Sequence, residues 1–144
     1  MLLINKNILE NIATTFCECD IEKGFLLGSS KELTYVDHCF DLPAMDAGLH
    51  FYEPDPVLAD QAIRHWADQE VCFCGMIHSH VVDKYELSEN DVEYAKMLFS
   101  AYHLPILWFG IGIVHADNVN FRFYSVSRSG GQINITLEEY RVEN

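Results

Sequence analysis

Two histidines stand one residue apart at His78-Ser79-His80, and after a gap of seven residues the chain reads Ser88-Glu89-Asn90-Asp91. Two imidazoles and a carboxylate are a usual ligand set for a catalytic zinc with one open position. On a strand, alternate side chains share a face, so both imidazoles can point to one ion while Ser79 points away. Zinc hydrolysis also needs a group that moves a proton from water to the leaving amine. Glu22, just before the apolar run Gly24-Phe25-Leu26-Leu27-Gly28, is placed at the sheet edge to do so. Each part has a plainer reading. A His-x-His at a strand end can simply hydrogen-bond to loops. Ser88 with Asp91 is nearly a capping box, with Ser88 as N-cap and an anion in the first helical turn. Glu22, near Glu18 and Asp20, reads alone as a solvated carboxylate.

The elements that must position these residues follow from periodicity. Leu9, Ile12, Ala13 and Phe16 form one apolar face, which predicts a helix over about residues 6 to 18. The run 24–28 predicts a buried strand, and Leu33 to Phe40 a second strand returning as a hairpin. Residues 41–55, with Pro43, Gly48 and Pro54, read as a loop with short extended pieces near Leu49-His50-Phe51. Asp55-Pro56 opens a helix as N-cap and first residue. Val71 to His78 is a strand, and Ser88 begins a third helix through about Tyr102. Strands follow at about 106–115, 119–127 and 132–137, the last two joined at Gly130-Gly131. The resulting order is α-β-β-α-β-α-β-β-β, an α/β sheet with helices packed on it.

The chain has 144 residues, which fits a single domain, 1–144. It carries 9 basic and 22 acidic residues, a formal net charge of -13. Such a surface repels nucleic acid and anionic membranes, and neither is expected as a partner. No stretch approaches the length of a membrane span. The five cysteines, Cys17, Cys19, Cys39, Cys72 and Cys74, are odd in number, and the N-terminus shows no signal peptide, so a reducing cytoplasm with free thiols is expected. Cys72 and Cys74 read as small core residues. The remaining histidines, His38, His50, His65, His103 and His115, show no ligand spacing.

Taken in order, these pieces resemble the JAMM (MPN+) family of zinc metalloproteases. That family reads a Glu near a glycine-flanked apolar strand, then His-x-His, seven residues, Ser, two residues and Asp. Here the pattern is Glu22, His78-Ser79-His80, Val81 through Leu87, Ser88 and Asp91, with no gap after the histidines, and the resemblance extends over about residues 6 to 137. Two positions depart from it. Val81 stands where the family usually has Pro. Aligning on Glu22 puts Phe25 and Ser29 at the family's two glycines, whereas aligning on Gly24 and Gly28 puts Ile21 at the Glu. The Glu22 alignment is taken, because isoleucine cannot transfer a proton.

The resemblance implies a JAMM/MPN-type, cytidine-deaminase-like mixed sheet flanked by helices. It implies that His78, His80 and Asp91 hold one Zn2+, that Glu22 is the general base toward zinc-activated water, and that Ser88 donates to the tetrahedral oxyanion. The implied reaction is hydrolysis of an amide or isopeptide bond. Its protein or peptide substrate would be the C-terminal tail of a ubiquitin-like or sulfur-carrier protein, added as a strand near Leu49 to Tyr52. A non-catalytic MPN-type scaffold that binds protein partners is the alternative. A cysteine hydrolase using Cys72 or Cys74 is a second rival, though an apolar strand is a poor place for a thiolate.

Overall fold

In the computed structural model, which describes residues 1–144, the chain opens with β1 (Leu2–Asn5) and α1 (Lys6–Cys17). There follow β2 (Gly24–Ser29), β3 (Tyr35–Val36), β4 (His38–Leu42), β5 (Ala44–Ala47), β6 (Tyr52–Pro54) and α2 (Pro56–Asp68). The second half holds β7 (Cys72–His80), α3 (Glu89–Ala101), β8 (Leu107–His115), β9 (Asn118–Ser129), β10 (Gln132–Glu138) and β11 (Tyr140–Glu143). Six strands form a mixed sheet in the order β10-β9-β8-β7-β2-β4. Only β7 and β8 run parallel in it, and α3 supplies their crossover. None of the three helices is long and apolar enough to cross a membrane.

The central strands are buried on both faces, so their side chains sort into two cores. Leu26, Met76 and Phe109 face α2 and α3, together with Trp66, Ala95, Leu98 and Phe99. Phe25, Leu27, Ile77 and Trp108 face the other way, toward Ile12 and Phe16 of α1. His78 follows Met76 by two residues and therefore shares the α3 face. This sorting places the histidines beneath the first turn of α3.

The helix starts follow local chemistry. Asp55 accepts from the backbone of Val57 and Leu58, with Pro56 at the first turn. Ser88 and Asp91 form a complete capping box at α3, an N-cap worth about 1 kcal/mol. At Gly130 and Gly131, φ values of 58° and 79° are those a tight β9–β10 hairpin requires.

Four short strands were not legible in the sequence. Met1 to Asn5 is too short an apolar run to read as structure, yet β1 pairs in parallel with β11 and β3 in a second, three-stranded sheet. The expected strand Leu33–Phe40 is two strands divided at Asp37. That carboxylate bonds the Ser30 backbone and hydroxyl, and turns β3 toward β1 while β4 pairs with β2. The expected loop 41–55 contains the β5–β6 hairpin, with Leu49, His50 and Phe51 in its turn and not in a strand. All five cysteines are free. Cys74 is buried as expected, but Cys72 is exposed, because it opens β7 where the sheet is not yet covered.

Candidate metal centre

Backbone stitching brings Glu22 to the histidines. β2 and β7 pair antiparallel with Gly24 opposite His78. The pairing continues past β2: Ser79 N donates to Lys23 O at 2.8 Å, and Lys23 N donates to Ser79 Oγ at 2.9 Å. Ser79, between the two histidines, thus holds the residue next to Glu22. The Glu22 N–H donates to Gly48 O in the β5–β6 turn at 2.9 Å, which fixes the residue from its other side. Glu22 is only 5 % exposed, so it is no ordinary solvated carboxylate.

Around this frame, four side chains converge. Glu22 Oε1 lies 3.2 Å from His78 Nδ1. Asp91 enters from α3, with Oδ1 2.9 Å from His78 Nε2 and Oδ2 3.3 Å from His80 Nε2. The two imidazoles meet edge to face, centroids 4.9 Å apart. Ligand atoms of Glu22, His78 and His80 lie within 4.8 Å of one another. His80 Nδ1 is taken by the Lys84 carbonyl at 2.8 Å, so its Nε2 is the atom left to bind an ion. Both Nε2 atoms then meet the same carboxylate, Asp91, so two carboxylates, Glu22 and Asp91, stand against the imidazole pair as alternative third ligands.

The donor set also passes a physical test of fit. His78 Nε2 is buried and makes no hydrogen bond. The Asp91 oxygen 2.9 Å away is close enough for an ion pair but lies off the direction a hydrogen bond needs. Leaving such an atom unsatisfied costs about 1–3 kcal/mol. A cation between imidazole and carboxylate removes that cost, and zinc accepts these donors.

Without a cation, the carboxylates govern His78. Burial works against its charged form, but contacts with Asp91 and Glu22 outweigh it and raise the pKa to about 9. Asp91 is held well below the usual carboxylate range: burial would raise it, and the close approach of the His78 and His80 imidazoles prevails. Because the folded-state pKa of His78 is raised, its contribution to stability is full below the unfolded value near ~6.5 and is lost as pH rises through about 9. The metal-free protein is therefore expected to lose melting temperature between about pH 6.5 and 9, and the zinc-loaded protein to resist that loss, as thermal melts across the range would read. An equal decline in both forms would mean that zinc does not engage His78.

Supporting residues complete the site. The Tyr52 ring stacks on His78, 6.2 Å between centroids and 14° from parallel, and its hydroxyl donates to Leu42 O at 2.6 Å. Gly24 leaves room for it, since a Cβ there would meet the Tyr52 ring at 2.5 Å. The loop after His80 is pinned through Tyr85. Its hydroxyl bonds His115, its carbonyl accepts from Arg122 at 3.1 Å, and Asp83 pairs with His115 at 3.2 Å. This clamp steadies the Lys84 carbonyl although Val81 supplies no proline. Ser88 Oγ accepts from Asp91 N at 3.1 Å, and its O–H remains available to donate into the cavity it lines. The capping reading and a role toward an oxyanion are therefore compatible.

The structure thus brings all five residues singled out in the sequence, Glu22, His78, His80, Ser88 and Asp91, to one cavity. Sequence reasoning missed Ser79, the Lys84 carbonyl and His50, which also lines the cavity. Ser79 acts through its hydroxyl on a distant backbone N–H and Lys84 through its carbonyl on the His80 ring, and neither contact leaves a local residue-type signal. Cys74 belongs to the opposite core, and burial pushes its thiol far above the ordinary range, which removes it as a nucleophile.

No family model matches the chain, and no curated protein matches it. Solved structures do. The solution structure of protein DSY2949 from Desulfitobacterium hafniense superposes with a TM-score of 0.77 at 18% identity, covering 99% of this chain and 93% of that one. A solution structure of a protein from Salinibacter ruber gives a TM-score of 0.62 at 17% identity, covering 99% and 92%. At such identity the likeness is one of fold: a mixed α/β domain whose multi-stranded sheet is flanked by three helices.

Proposed function

We propose that the chain is a zinc-dependent metallopeptidase of the JAMM type, hydrolysing an amide or isopeptide bond in a protein or peptide tail. The observation that carries this reading is the convergence of His78, His80 and Asp91, with Glu22 buried beside them and His78 Nε2 left without a hydrogen bond. A bound zinc would supply a Lewis acid and make water nucleophilic near neutral pH. The chain's own residues do the rest. Glu22 uses Oε1 toward His78 and makes no other side-chain hydrogen bond, so its second oxygen is free to take a proton and return it to the leaving amine. Ser88 presents its O–H to the charge that develops on the carbonyl oxygen, a contact typically worth ~2.7–4 kcal/mol of barrier. Burial of Glu22, His78 and His80 keeps competing water from these groups.

Metal analysis of the purified protein, followed by an assay on a panel of ubiquitin-like fusion proteins, tests the proposal. One zinc per chain is expected, with cleavage stopped by a chelator and unaffected by a thiol alkylator. A stable, metal-free protein without hydrolysis would leave the scaffold reading in its place.

A further inference from the structure

The cluster of Glu22, His78, His80 and Asp91 opens onto a cavity of about 670 Å³, and eight of its 19 lining residues are apolar, enough to form continuous apolar patches between the polar groups. Three of the four methionines, Met45, Met76 and Met97, line it. One wall is the α3 face that carries Asp91, Tyr94 and Met97 at spacings of three. The facing wall is the β5–β6 hairpin, with Met45 and Phe51, and the floor includes Met76 and Phe109. Met45 is 62 %, Met97 53 % and Phe51 44 % exposed, and nothing in the chain covers them. Large apolar side chains gathered around a concave site mark a binding surface. Methionines suit such a surface, because a flexible thioether adapts to differing partners.

We propose that this trench is a row of apolar subsites selecting an extended peptide with a Leu-, Met- or Phe-sized residue within about three positions of the bond at the metal, and rejecting acidic sequences. The inference rests on the peptidase reading for the chemistry, but its selectivity comes from the walls. A helix rises about 1.5 Å per residue, which sets Met97 about 9 Å along the wall from Asp91 and Tyr94 about half as far. An extended peptide advances about 3.3 Å per residue, so Tyr94 faces a substrate residue about one position from the bond and Met97 one about two to three positions away. Charge acts in the same direction. A bound zinc would offset Glu22 and Asp91, and Glu53 balances Lys84, so the bias against acidic side chains comes from the chain's net charge of -13. Acidic side chains are repelled there, and apolar or basic ones are admitted.

The test uses the full-length, zinc-loaded Glu22→Gln protein and fluorescein-tagged octapeptides of Gly, Ser and Ala. Leu, Ala or Glu is placed at each position in turn, and binding is read by anisotropy. At one or two positions Leu is expected to bind at least about tenfold more tightly than Ala, and Glu more weakly than Ala. Met97→Glu, and separately Met45→Ser on the facing wall, are expected to erase the Leu preference without changing zinc content. Equal binding of the three peptides, or no binding of any, overturns the proposal, as does a Leu preference that survives both substitutions. The same peptides are then offered to the wild-type enzyme. Selective binding without cleavage would keep the trench and remove the peptidase reading. Cleavage indifferent to the varied residue would keep the peptidase and remove the trench.

Discussion

Glu22→Gln is expected to lower hydrolysis by about a hundredfold or more while the protein still holds its zinc, since a positioned acid–base group typically contributes about 10²–10⁴ in rate. The substitution is nearly isosteric, and the amide oxygen can still accept from His78 Nδ1, where Glu22 Oε1 now sits at 3.2 Å. The anchors that place residue 22 are backbone bonds to Gly48 and, one residue on, to Ser79, and these do not sense the side chain. Fold and metal should therefore survive, and only proton transfer is lost. Single-turnover rates, zinc stoichiometry and melting temperature measured on the same preparation separate these effects. A kcat within twofold of wild type would leave Glu22 merely orienting His78.

Much of this site was legible in residue types and spacing, because His78, His80 and Asp91 lie on a single strand and the first turn of the next helix. Strand alternation alone aims His78 and His80 the same way, and the seven-residue gap lets α3 fold back over them. Glu22 was harder to read. Its spacing to Gly24 and Gly28 does not follow the family's, and its place depends on the register that sets Gly24 against His78. Register is a property of two strands far apart in sequence, and no local pattern reports it. The same limit hid the outer sheet. β1 has 4 residues and β11 has 4; β11 becomes a strand by pairing with β1, and β1 by pairing with β11 and β3. The β5–β6 hairpin was read as a loop because Pro43, Gly48 and Pro54 punctuate it. Tyr52, seated over Gly24, ties it to His78, and a contact of an aromatic ring with an absent side chain leaves no mark in either segment.

Asp91→Asn is the complementary experiment, and it is expected to take zinc from one per chain toward none. The carboxylate lies against the only free nitrogen of His80 and against His78 Nε2, so its charge is what a cation would share. Asn is preferable to Ala, because Asp91 Oδ2 also accepts from Ser88 N at 2.9 Å and an amide oxygen preserves that half of the capping box. Metal loss is then not confused with fraying of α3. Removing the charge also deprives the buried imidazoles of their partner, and the metal-free variant should lose about 1–3 kcal/mol in denaturant unfolding. Paired with Glu22→Gln, this variant decides the ligand set. If His78, His80 and Asp91 bind the ion, Asp91→Asn loses zinc and Glu22→Gln keeps it. If instead the cluster of Glu22, His78 and His80 binds it, the two outcomes exchange, and Glu22 cannot then be the proton carrier. Zinc content of the two proteins, measured side by side, therefore fixes both the metal's ligands and the role of Glu22.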